Sequence, residues 1–109
     1  MQPSWYSVAR TGDVPPMEGK RVLCGDREIA LFNLGEKYLA VDNRCPHKAG
    51  PLSDGIVAGT AVFCPLHNWK IDLGTGCVLA GGEGKVAAYP VRLAADGVIQ
   101  IALEQEASA

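Results

Sequence analysis

Histidine is almost missing from this chain. Among 109 residues there are two, and each stands beside a cysteine. No apolar run approaches the roughly 20 residues that a bilayer-spanning helix needs, so no membrane partner is expected. There is no basic excess either: 10 Lys and Arg face 12 Asp and Glu, a formal net charge of −2. Nucleic-acid binding therefore has no electrostatic support. The first ten residues lack a basic segment followed by an apolar stretch, so no export signal is read and a cytoplasmic location is expected. Gly81-Gly82-Glu83-Gly84 has no Lys-Ser/Thr and no following helix signal, which argues against a phosphate-binding loop. No window carries a sustained 3.6-residue apolar period with caps, so long helices are not expected.

What is present is the grammar of strands and turns. Hydrophobic residues make up 48% and charged residues 20%, ordinary for one globular domain of this length. Short or alternating apolar runs are broken by Gly, Pro and Asp. Strands are expected at residues 5–9, 20–24, 27–33, 38–42, 61–63, 69–73, 77–80, 86–93 and 98–103. The last two form a hairpin around Asp96-Gly97, a dipeptide suited to positive φ in a tight turn. Strands of this length and spacing predict an all-β fold, an antiparallel sandwich or partly open barrel.

The two histidines belong to two boxes, Cys45-Pro46-His47 and Cys64-Pro65-Leu66-His67, giving C-x-H-x16-C-x2-H. Two thiolates and two imidazoles make a four-ligand metal site. In both boxes proline follows the cysteine, which fixes φ and stiffens the loop. Zinc accepts this donor set, although structural zinc sites usually pair Cys with Cys and His with His. A mixed-ligand [2Fe–2S] centre, in which two histidines replace two cysteines on one iron, accepts it as well. A catalytic Cys–His pair would need one box and leave the other redundant.

The boxes resemble those of the Rieske family. The wider stretches Asp42-Asn43-Arg44-Cys45-Pro46-His47-Lys48-Ala49-Gly50-Pro51-Leu52-Ser53 and Val62-Phe63-Cys64-Pro65-Leu66-His67-Asn68-Trp69-Lys70 are similar to the small subunits of assimilatory NAD(P)H-dependent nitrite reductases. The resemblance implies a single Rieske domain over residues 1–109, with a cluster-binding part inserted at about 43–70. It implies one [2Fe–2S] cluster per chain, Cys45 and Cys64 on one iron and His47 and His67 on the other. It further implies an oxidoreductase subunit without a substrate site of its own. That subunit would pass electrons to a large catalytic subunit holding flavin, sirohaem and a further iron–sulfur cluster, which reduces nitrite to ammonium in nitrate assimilation. A free Rieske ferredoxin serving an aromatic-ring dioxygenase is the alternative, and a zinc-stabilised binding module a third. A self-contained Rieske oxygenase is excluded, because both histidines are used by the cluster and none remains for a separate iron site.

Respiratory-complex Rieske proteins add a cysteine to each box, forming a disulfide clamp. Here those positions are Gly50 and Leu66. Those proteins also place a serine and a tyrosine after the second box, whereas Asn68, Trp69 and Lys70 follow His67 here. Fewer hydroxyl donors to sulfur stabilise the reduced state less. The midpoint potential is therefore expected near the low end of the Rieske range, roughly −150 mV. A clearly positive value in a redox titration at neutral pH would contradict this.

Cys24 and Cys77 are read as small packed hydrophobes rather than a disulfide. Tyr38, Tyr89 and Trp5 are read as strand packing residues. Pro51, Pro65, Leu66 and Trp69 form a candidate apolar docking rim, with Trp69 also a candidate core residue. Lys48 and Lys70 flank the boxes as surface lysines.

Overall fold

Strand β3 (Arg27–Asn33) is buried from Ile29 onward on both of its faces, and the rest of the fold is arranged around it. The computed structural model describes residues 4–25, 27–35, 37–43, 51–65 and 68–103. Alternation along a strand sends successive side chains to opposite faces. Ile29 and Leu31 therefore enter one core, with Val14, Val22, Cys24, Ala40, Ile99 and Ile101. Ala30 and Phe32 enter another, with Val41, Leu52, Val62, Cys64, Ile71, Leu73 and Val86.

Three antiparallel sheets supply these cores. The middle one runs in the order β2 (Glu18–Cys24), β3, β4 (Tyr38–Asp42), β9 (Ala88–Tyr89). One outer sheet joins β1 (Ser4–Arg10), β11 (Val98–Leu103) and β10 (Val91–Leu93). The other joins β5 (Ile56–Ala58), β6 (Ala61–Phe63), β7 (Lys70–Asp72) and β8 (Val78–Ala80). The expected all-β sandwich is found. The sheets do not close into a barrel, and the described residues contain short 3₁₀ turns but no α-helix.

The expected strand at 86–93 is divided. Ala88 and Tyr89 pair with Val41 and Ala40 in the middle sheet, whereas Val91–Leu93 pairs with β11 in the outer one. Pro90 lies at the crossing. It has no N–H to give to a ladder, and its carbonyl accepts from Ala102 N at 3.0 Å. The hairpin beyond it turns as expected, with Asp96 and Gly97 at φ 63° and 74°. Strand β5 was not expected. It meets β6 through Gly59-Thr60, with Gly59 at φ 63°. The third sheet ends with β8.

Candidate metal centre

Of the four expected ligands, Cys64 is among the described residues; Cys45, His47 and His67 lie outside them, as do Lys48 and Leu66. Cys64 follows β6 directly and is 1% exposed, packed in the core that includes Leu52, Val62 and Ile71. Its loop is closed by two backbone hydrogen bonds. Cys64 N donates to Trp69 O at 2.8 Å, and Asn68 N donates to Cys64 O at 2.9 Å. Asn68 turns the chain back with φ 58°, a left-handed conformation that asparagine tolerates better than most residues.

The segment carrying the first box leaves β4 at Asn43 and returns at Pro51. A 3₁₀ turn at Leu52–Asp54 receives it, with Gly55 N donating to Leu52 O at 2.9 Å. Leu52 is fully buried in the same core as Cys64. Gly55 lies so close to β6 that a Cβ there would collide with the Phe63 carbonyl, one residue before Cys64. The roots of the two box-bearing segments therefore converge, and this follows from the absence of a side chain at Gly55.

The end of β4 is fixed by a polar cluster. Asp42 N donates to Ala87 O at 2.9 Å, and the Tyr89 hydroxyl donates to Asp42 Oδ1 at 2.6 Å. Arg27 Nη1 donates to the Tyr89 hydroxyl oxygen at 3.1 Å. Burial, then the Asp42 carboxylate, push the Tyr89 phenol up to about 12, with Arg27 opposing. The unfolded value is near 10, so this group's stabilisation is complete below pH 10 and declines as pH rises toward 12. The urea midpoint is expected to drop further between pH 9 and pH 11.5 in the wild type than in Tyr89→Phe. Equal drops would contradict the assignment.

Trp69 belongs to the packing rather than to an exposed rim. It is half-buried against the Cys64 core, and its indole lies against Gly81-Gly82. A Cβ at Gly81 would sit 2.8 Å from Trp69 Cδ1, and one at Gly82 would collide with Cη2 and Cζ2. The 81–84 turn is thus a floor for the tryptophan that follows the second box. Gly82→Ala is expected to displace the indole and cost about 1–3 kcal/mol, read as a change in tryptophan fluorescence together with a lower melting temperature. An unchanged emission spectrum would contradict it. Pro51 and Pro65 are exposed, as a rim requires. Lys70 Nζ lies 5.9 Å from the Phe63 ring centroid.

Cys24 is fully buried, and burial pushes its thiol up. Cys77, expected to pack, is exposed beside Lys85 at an isolated bridge. Sequence reading also missed Asn43, Gly55 and the Gly81-Gly82 floor. Only the Asn and Gly residue types themselves hinted at them.

Residues 4–90 match the model of the Rieske [2Fe-2S] domain. This chain belongs to the Rieske [2Fe–2S] family. It is an electron-transfer domain, and its cofactor is a [2Fe–2S] cluster. The described part of the site fits that group: a buried thiol at a tightly closed loop, with the root of the other box against it. The zinc alternative gives way to this family assignment. The chain is 34% identical over 94 residues to the ferredoxin component of naphthalene 1,2-dioxygenase/salicylate 5-hydroxylase systems from Ralstonia sp, covering 85% of this chain and 90% of that protein. It is 33% identical over 94 residues to the nitrite reductase [NAD(P)H] large subunit of Klebsiella oxytoca, covering 82% of this chain but 10% of that one. A solved chain from Mycobacterium tuberculosis, provisionally assigned as an NADH-dependent nitrite reductase small subunit, superposes with TM-score 0.88. Its identity is 29%, with 97% of this Rieske chain and 100% of that chain covered. Among the described residues no helix is long and apolar enough to cross a membrane.

Proposed function

We propose that this chain is the electron-carrying small subunit of a cytoplasmic NAD(P)H-dependent nitrite reductase. One Rieske domain would span residues 1–109, with Cys45 and Cys64 as ligands to one iron and His47 and His67 to the other. The observation that carries this reading is the end-to-end correspondence with the Mycobacterium tuberculosis chain. The resemblance of the two extended boxes to nitrite reductase small subunits supports it. Bound there, a [2Fe–2S] cluster supplies one-electron redox chemistry. The chain's own residues seat Cys64 and Leu52, which follows the first box, in a single core and keep water from the buried Cys64 side chain. The large subunit, with flavin, sirohaem and its own iron–sulfur cluster, would carry the conversion of nitrite to ammonium.

A second reading, a free ferredoxin for an aromatic-ring dioxygenase, is favoured by the 34% identity to the Ralstonia protein over nearly its whole length. Reconstitution separates the two. The purified chain is added to its candidate large subunit and, separately, to a ring-hydroxylating oxygenase with its reductase. Stimulation of nitrite-dependent NAD(P)H oxidation is expected. Oxygenase turnover without any effect on nitrite reduction would overturn the proposal in favour of the ferredoxin.

A further inference from the structure

Asn43 is the residue at which the described chain leaves β4 for the first box, and it is 1% exposed. Its backbone N donates to Glu28 O at 3.1 Å, extending the β3–β4 ladder beyond the Ile29–Asp42 pair. Its carboxamide then reaches both ways. Oδ1 accepts from Ser53 N at 2.6 Å, and Nδ2 donates to Glu28 Oε2 at 2.8 Å. A carboxylate can only accept and a backbone N–H can only donate, so these partners admit one orientation of the amide. Arg21 Nε lies 3.0 Å from the same Glu28 oxygen.

Asn43 and Ser53 are ten positions apart, and Cys45 and His47 lie between them. The Asn43–Ser53 bond thus ties the start of that segment to its end. Aspartate in this place would set a second carboxylate against Glu28, and a shorter or apolar side chain would leave Ser53 N–H without this acceptor. We propose that Asn43 is a positioning residue for the cluster, closing the first ligand segment through its carboxamide while Glu28 and Arg21 hold that amide in orientation. The proposal rests on the assignment of Cys45 and His47 as ligands.

The test compares the cluster-loaded full chain with Asn43→Leu, Glu28→Ala and Asn33→Leu. Asn33 is the matched control: it is also buried with both amide ends bonded, to Val14 O and Gly35 N, but it lies at the far end of β3. Two readouts are taken: the line widths and g values of the reduced protein in EPR, and the rate of iron release to a ferrous chelator. Loss of a buried hydrogen-bond acceptor predicts roughly tenfold faster release in Asn43→Leu, with broadened lines. Glu28→Ala is expected to act in the same direction, by about threefold. Asn33→Leu is expected to match the wild type in both readouts even where its melting temperature falls. Wild-type lines and release rate in Asn43→Leu would overturn the proposal, as would an equal effect from Asn33→Leu. If Asn43→Leu does not fold, Glu28→Ala decides, and no change there overturns it. A wild type without a histidine-ligated signal would instead remove the ligand assignment, and the proposal with it.

Discussion

Cys64→Ser is expected to yield a colourless protein with less than about a tenth of the wild-type iron and sulfide, and no signal from the reduced cluster. The thiolate is the form of cysteine that binds metal, and it is reached far more readily than a serine alkoxide. Serine also places a hydroxyl among Leu52, Val62 and Ile71 in a core that is closed to water. A hydroxyl there without a partner costs about 1–3 kcal/mol. The variant loses in addition whatever stabilisation comes from cluster binding to the folded state alone. Cys77→Ser is the fitting comparison, since its thiol is exposed and outside that core; full cluster content is expected from it. Metal analysis and visible absorption of both variants decide the matter. A Cys64→Ser protein with full iron and an unaltered EPR spectrum would remove Cys64 from the ligand set.

Gly76→Ala is expected to be the most destabilising small substitution outside the boxes. Gly76 ends the turn after β7, where its N donates to Asp72 O at 2.7 Å and Thr75 N donates to Asp72 Oδ2 at 2.9 Å. It has φ 81°, and a Cβ there would collide with the Val86 carbonyl. The same stretch is locked by Val86 N donating to Gly76 O at 2.8 Å, and Val86 is itself buried in the Cys64 core. Neither the turn nor the returning chain can move without giving up that bond or that burial. Left-handed strain and overpacking together predict a loss of about 3 kcal/mol or more. For a domain of this size that is a fall of roughly 12 °C or more in melting temperature. A fall under about 3 °C would show that the turn relaxes freely.

Strands were readable wherever alternation and turn residues coincided. The bounds expected for β3, β4 and β6 are those found, because polar or glycine-bearing turns break the apolar runs beside them. Sheet membership was not readable. Residues 86–93 look continuous apart from Pro90, which has no ladder donor, and which sheet each half joins depends on the neighbour it meets. Strand β5 was not read, and its Ile56 points outward at 72% exposure. The boxes themselves stood out because four metal-binding side chains at close spacing are rare in so histidine-poor a chain. Their supports did not. The need for a missing Cβ at Gly55 or Gly82, or for an amide at Asn43, is set by atoms distant in sequence that arrive only on folding. Cys77 differs from Cys24 for the same reason: both read as strand residues, but only one faces a neighbouring layer.

The third sheet leaves and rejoins the middle one at a single place. Val41 pairs with Ala88 and Asp42 N reaches Ala87 O, so the two ends of the intervening stretch are a hydrogen bond apart. A stretch whose ends meet can be bridged by a short linker at a small loop-closure cost. The layer that holds Cys64 is therefore separable as far as chain connection goes, though not as far as packing goes. A host would need both an antiparallel strand pair to accept its ends and an apolar face like that of Ala30, Phe32 and Val41 to cover its core.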